Sequence, residues 1–181
     1  MGEDYKFDIR QAPHMLVAGA TGSGKSVFLN SMIDQLAQNK EVDIHLFDPK
    51  MVELAQFSSL ATEYETETEK IHESIEKLVQ EMNERYRTLS KAGVRNIEQY
   101  KGNMKYKVIV IDEFGDLIMS NVTITKETNT GEKFTAGVRK GEDKVKTEKV
   151  NLSNEITRNI LLMAQKARAC GMHMIIATQR P

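Results

Sequence analysis

Eight consecutive residues, Gly19-Ala20-Thr21-Gly22-Ser23-Gly24-Lys25-Ser26, match the phosphate-binding pattern G-x-x-x-x-G-K-[ST] at every fixed position. Glycines at these spacings let a backbone curl around an anion, so that several N–H groups and the positive end of the following helix converge on it. Thr21, Gly22, Ser23, Gly24 and Val27 are the positions that would surround a bound triphosphate such as ATP. In that geometry the Lys25 ammonium would reach the β- and γ-phosphates, and the Ser26 hydroxyl would ligate the Mg²⁺ that bridges them. A second group of acids lies downstream, where the apolar run Lys107-Val108-Ile109-Val110-Ile111 ends in Asp112-Glu113. Alone, such a pair is more often a solvated turn. Joined to a phosphate loop it reads as a metal-holding aspartate, Asp112, followed by Glu113 as the carboxylate that polarises an attacking water.

These side chains need a scaffold that brings two strand ends together. Met15-Leu16-Val17-Ala18 has the length and character of a buried strand feeding the loop, and residues 27–36 read as the helix that leaves it. Val42-Asp43-Ile44-His45-Leu46-Phe47 reads as another strand, closed by Asp48-Pro49. Ligands in open α/β sheets gather beyond the carboxyl ends of strands, so Asp48 and Lys50 fall on the edge where chemistry is expected. Their plainer reading is a turn-stabilising aspartate and a solvated lysine. From residue 66 to residue 91, Ile71, Ile75, Leu78, Val79, Met82, Tyr86 and Leu89 recur at spacings of three and four, predicting a long amphipathic helix stopped near Gly93. A helix with Ser153 as its cap then runs to Gly171 and leads into a strand, His173-Met174-Ile175-Ile176-Ala177, followed by Thr178-Gln179-Arg180-Pro181. Strands alternating with helices in this way predict an α/β fold with a mainly parallel sheet.

Two stretches stand outside that alternation. Tyr5-Lys6-Phe7-Asp8-Ile9 alternates briefly and is expected to be an edge strand. Residues 120–153 turn polar, with alternation at Val122-Thr123-Ile124-Thr125 and Phe134-Thr135-Ala136-Gly137-Val138 around Asn129-Thr130-Gly131, which predicts an inserted β-hairpin arm or a mobile loop. Its lysines and Arg139 are matched by nearly as many acids, favouring a solvated segment over a DNA-binding wing.

The bulk composition bounds the class. A chain of 181 residues, 40% hydrophobic and 28% charged, is the size of one domain with a core of its own. A formal net charge of −1 excludes a global electrostatic footprint for nucleic acid. The lone Cys170 excludes an internal disulfide and is expected to be buried. No stretch approaches the ~18 apolar residues of a membrane span, and the composition is cytoplasmic in character. The histidines His14, His45, His72 and His173 show no metal-ligand spacing and read as packing or surface groups.

Five blocks in order carry a resemblance: Pro13 to Ser26, Asp48-Pro49-Lys50-Met51-Val52-Glu53-Leu54, Val110-Ile111-Asp112-Glu113-Phe114-Gly115-Asp116-Leu117, Ala164-Gln165-Lys166-Ala167-Arg168-Ala169-Cys170-Gly171, and Ala177-Thr178-Gln179-Arg180-Pro181. Together they closely resemble the motor domain of the FtsK/SpoIIIE DNA translocases. The resemblance implies a RecA-like P-loop NTPase fold with the last strand between the phosphate-loop strand and the strand ending in Asp112. It implies Gln179 as a sensor of the γ-phosphate, Arg168 as an arginine acting on a neighbouring subunit's nucleotide, and a homo-oligomeric ring, hexameric around double-stranded DNA. It also implies that the motor domain runs past the Gln-Arg-Pro segment, so that residues 1–181 are a core truncated at its C-terminus. Related ring motors of conjugation and type VII secretion, and a nucleotide-binding module without turnover, are the alternatives to a DNA pump.

Overall fold

Three largely buried strands form the centre of one five-stranded parallel sheet, as buried runs of this kind do when helices cover both sides. A computed structural model describes residues 8–133, 135 and 143–179. In chain order the sheet strands are β1 (His14–Ala18), β2 (Val42–Phe47), β3 (Glu63–Glu65), β4 (Tyr106–Ile111) and β7 (Met172–Thr178), and the spatial order is β1-β7-β4-β2-β3. The last strand therefore lies between the phosphate-loop strand and β4, as expected. Ala18 pairs with Thr178, Ile111 with Ile176 and Phe47 with Ile111, so four strands end at one edge.

Alternation along β4 sorts the core into two layers. Val108 and Val110 face Leu29 and Ile33 of α1 (Lys25–Ala37), whereas Ile109 and Ile111 face the helices of the opposite layer. That layer is built from α2 (Thr68–Lys91), α3 (Phe114–Met119) and α4 (Leu152–Lys166). The predicted stripe on α2 is buried at Ile71, Ile75, Leu78, Met82 and Leu89, and the helix ends where Gly93 N–H donates to the Ser90 carbonyl. Cys170 is fully buried, with burial pushing its thiol up to about 11.

Several expectations need correction. The cap of α4 is Asn151, whose Oδ1 accepts from Asn154 N–H at 3.1 Å, and not Ser153. Ser153 sits inside the first turn and donates to the Leu117 carbonyl at 3.0 Å, tying α4 to α3. Ile9 lies in a turn closed by Gln11 N–H to the Asp8 carbonyl, not in a strand, while Tyr5, Lys6 and Phe7 fall outside the described residues. β3 was not legible, being three half-buried polar residues that pair with the end of β2.

The polar stretch is a hairpin arm, β5 (Thr123–Lys133) against β6 (Asp143–Asn151). Its register differs from the expectation. Thr123 pairs with Asn151 and Thr125 with Lys149, and a register shift between Asn129 and Lys133 places Gly131, at φ 74°, in a bulge and not in the turn. Phe134, Ala136, Gly137, Val138 and Arg139 lie outside the described residues.

Candidate functional site

The phosphate loop spans the gap between β1 and α1, and its backbone explains its glycines. Gly22 and Gly24 adopt φ of 80° and 90°, which side chains with a Cβ rarely tolerate. The loop is anchored where Gly19 N–H donates to the Thr178 carbonyl at 3.2 Å, so the end of β7 fixes its start. Thr21, Gly22, Ser23 and Gly24 are exposed, Ser26 is half-buried and the Val27 side chain is exposed. The amides of this arc sit at the N-terminus of the 13-residue α1, where the helix dipole favours an anion.

Lys25 behaves differently from its neighbours. It is 8% exposed, and its Nζ lies 2.7 Å from Asp112 Oδ1 at the end of β4. The two motifs, 87 residues apart in sequence, meet in one buried ion pair. Burial holds the Asp112 carboxyl above the usual carboxylate range; Lys25 opposes that shift, and the nearby charge of Asp48 adds to it.

Glu113 is the next residue, and its backbone is left-handed at φ 53°, ψ 63°. A non-glycine residue held there stores strain that the surrounding structure must offset, a condition common at working sites. Its buried carboxylate is fixed from β7: Oε1 accepts from Thr178 Oγ1 at 3.2 Å and from Gln179 N–H at 3.1 Å. The exposed Gln179 side chain reaches the other way, where its Oε1 accepts from Thr21 Oγ1 at 3.4 Å. One residue thus bridges the phosphate loop and the carboxylate.

Lys50 and Asp48 enter from the end of β2. Lys50 Nζ stands 3.7 Å from Glu113 Oε2 and 3.2 Å from Asp116 Oδ2, so it is more than a solvated lysine. Asp48 is fully buried; its Oδ2 accepts from Leu54 N–H at 3.0 Å, the turn-stabilising role, while its Oδ1 has no hydrogen-bond partner among the described residues. Gly115 was not singled out for chemistry by sequence. A Cβ there would come within 3.3 Å of Glu113 Oε1, and its place directly after Glu113-Phe114 is the signal that could have marked it.

Arg168 is not brought to this site. It lies in the 3-10 turn Ala167–Cys170 that precedes β7, at the opposite end of that strand from Thr178, a separation of about 20 Å for seven residues in extended conformation. It is exposed and forms no ion pair with any described residue. It lines a cavity of about 410 Å³ with Arg10, Tyr86, Arg95 and His173. Among the described residues no helix is long and apolar enough to cross a membrane.

Oxygen donors stand on the elements that meet here: the Ser26 hydroxyl in the first turn of α1, the Asp112 carboxylate at the end of β4, and Asp48 Oδ1 at the end of β2, which has no hydrogen-bond partner among the described residues. Such a set fits a hard cation of the Mg²⁺ class, and the open amide arc fits a polyphosphate.

The chain resembles known proteins over nearly its whole length. It is 33% identical over 195 residues to the DNA translocase SftA of Bacillus subtilis (strain 168), covering 99% of this chain and 17% of that protein. It is 34% identical over 200 residues to the DNA translocase FtsK of Halalkalibacterium halodurans, covering 99% of this chain and 21% of that protein. The chain thus spans about a fifth of the length of these relatives. Among solved structures, the conjugation coupling protein TcpA of pCW3, in its monomer form with ATPγS, superposes with a TM-score of 0.70 at 26% identity, over 98% of this chain and 45% of that one. The FtsK/SpoIIIE family model matches residues 1–181. Phosphate loop, strand order and paired acids agree with that match, and the chain belongs to the FtsK/SpoIIIE family.

Proposed function

We propose that this chain is the ATP-hydrolysing core of a ring-shaped motor that moves along double-stranded DNA. The observation that carries this reading is the convergence of Lys25, Asp112 and Glu113 at adjoining strand ends, with Lys25 Nζ 2.7 Å from Asp112. Backbone amides from Thr21 to Val27 bind the triphosphate. Lys25 leaves Asp112 for the β- and γ-phosphates, exchanging one buried ion pair for another. That exchange frees the Asp112 carboxylate, which with Ser26 would hold Mg²⁺. The metal, when bound, neutralises charge on the β- and γ-oxygens.

Glu113 takes the proton from the water that attacks the γ-phosphate. Thr178, Gln179 and Lys50 position its carboxylate. Because Gln179 contacts both Thr21 and Glu113, loss of the γ-phosphate alters one end of a bridge whose other end is the general base. Arg168 serves the neighbouring subunit, an assignment that suits its distance from its own phosphate loop and its lack of an ion-pair partner among the described residues. The assembly is a hexameric ring, residues 120–153 are an arm inserted in the motor core, and DNA is gripped mostly by regions outside residues 1–181.

Phosphate release by the protein, measured with and without linear duplex DNA, tests the reading. Stimulation by about tenfold or more is expected of a motor gated by its track. Turnover indifferent to DNA would instead favour the cargo of a coupling or export machine, the alternative to which the likeness to TcpA lends weight.

A further inference from the structure

The arm is rooted beside a group of side chains that the nucleotide site does not use. His72 and Glu76 lie one turn apart on α2, and Glu155 projects from the first turn of α4. One ligand atom from each, the imidazole nitrogen and a carboxylate oxygen from each glutamate, all lie within 4.8 Å of one another. His72 is 2% exposed, and its Nε2 is buried without a hydrogen-bond partner among the described residues, with Glu76 Oε1 at 3.5 Å. A buried imidazole nitrogen aimed at two carboxylates and bonded to neither is a donor awaiting an acceptor of electrons.

We propose that His72, Glu76 and Glu155 form a site for one divalent transition-metal ion of the Zn²⁺ class, filled in exchange for Lys126. One imidazole and two carboxylates with a remaining open position suit Zn²⁺ and its late first-row neighbours better than Mg²⁺ or Ca²⁺, which prefer oxygen alone. Tetrahedral ligands around Zn²⁺ stand about 3.3 Å apart, so the glutamates close by roughly an ångström, the scale of a rotamer change in half-buried side chains. Charge determines what is displaced. Lys126 Nζ lies 2.8 Å from Glu76 Oε1, and Arg158 lies 3.7 Å from Glu155 Oε2. A dication against two carboxylates and a neutral imidazole is balanced by itself, which leaves the Lys126 ammonium surplus beside it. Lys126 belongs to β5, and its bond to Glu76 ties the arm to α2. Metal binding therefore unties the arm at its root.

Titration of metal-free protein with Zn²⁺ near pH 7, in competition with a chromophoric chelator, tests the site. One equivalent should bind in the native chain. Glu155→Gln should weaken it by about 100-fold, because a ligand is lost. Lys126→Ala should tighten it by roughly three- to tenfold, because the competitor for Glu76 is gone. Co²⁺ in place of Zn²⁺ should give the absorption bands of a four-coordinate ion, lost in His72→Gln, with thermal melts confirming that each variant is folded. No uptake by the native chain, equal affinity in Glu155→Gln, or a Lys126→Ala variant that binds no tighter would each overturn the proposal. The tightening expected of Lys126→Ala is the decisive arm, since a purely structural bond between Lys126 and Glu76 predicts no gain.

Discussion

At the scale of single residues, the buried pair Lys25–Asp112 is the hinge of the proposed chemistry. Two opposite charges in a buried site hold one another until a stronger partner arrives, and a triphosphate offers more negative charge to Lys25 than one carboxylate does. Lys25→Ala should therefore lower nucleotide affinity by about 100-fold or more in an equilibrium titration, through loss of charge-assisted bonds to the phosphates. Unchanged affinity would remove Lys25 from the binding site. Glu113 was legible as an acid after an apolar strand, but its left-handed backbone was not, because the strain is set by its neighbours on β7 and by Gly115 and not by its own residue type. The sequence places Lys50 at the reactive edge but does not reveal its partners, since a lysine after Asp-Pro carries no local sign of the Glu113 and Asp116 carboxylates it meets.

At the scale of elements, α2 shows where periodicity stops being informative. Its apolar stripe predicted the buried face, yet Arg85, a charged residue outside that stripe, is buried too, at 7% exposure. Its guanidinium donates to the carbonyls of Lys105 at 2.8 Å and Cys170 at 3.0 Å, and to Glu81 Oε1, stitching α2 to the loops that enter β4 and β7. Arg85→Ala leaves those acceptors unsatisfied and should lower stability by about 2–4 kcal/mol in urea unfolding. A loss within ~0.5 kcal/mol would mark Arg85 as a surface residue after all.

His173 gives β7 a dependence on pH. Its Nδ1 contacts the Pro13 carbonyl at 3.2 Å, its ring stacks on Tyr106, and burial pulls its pKa down to about 4. The unfolded chain binds its proton near an ordinary pKa of about 6.5, so between the two values the unfolded state holds more protons, and stability falls as pH falls. The loss from roughly pH 7 to pH 5 should be about 2 kcal/mol, and His173→Gln should flatten it. A native chain equally stable at both would contradict the burial argument. Four of the five parallel strands were legible as short apolar runs, and the order β1-β7-β4 matches what the family resemblance implied. The arm's register was not legible, because its strands are largely polar with much of the surface exposed, so no buried face pins the pairing.

At the scale of the whole molecule, the proposed ring makes the nucleotide site one that two subunits share. The phosphate loop and Glu113 lie at the carboxyl edge of the sheet, and Arg168 lies at the opposite edge. A ring that stacks one edge against the next would bring Arg168 of one subunit to the nucleotide of another. Mixing Arg168→Ala subunits with Glu113→Gln subunits should restore part of the hydrolysis that each lacks alone, at borders where the intact residues meet. No recovery at any ratio would show that Arg168 does not act between subunits.

The most direct measurement compares nucleotide affinity with phosphate release in Glu113→Gln. If ATP is held by the loop and cleaved by the acid fixed at the end of β4, affinity stays within about threefold while turnover falls by roughly 10²–10⁴. Phosphate release at the native rate would show that another group activates the water, and with it the proposed hydrolytic site would be wrong.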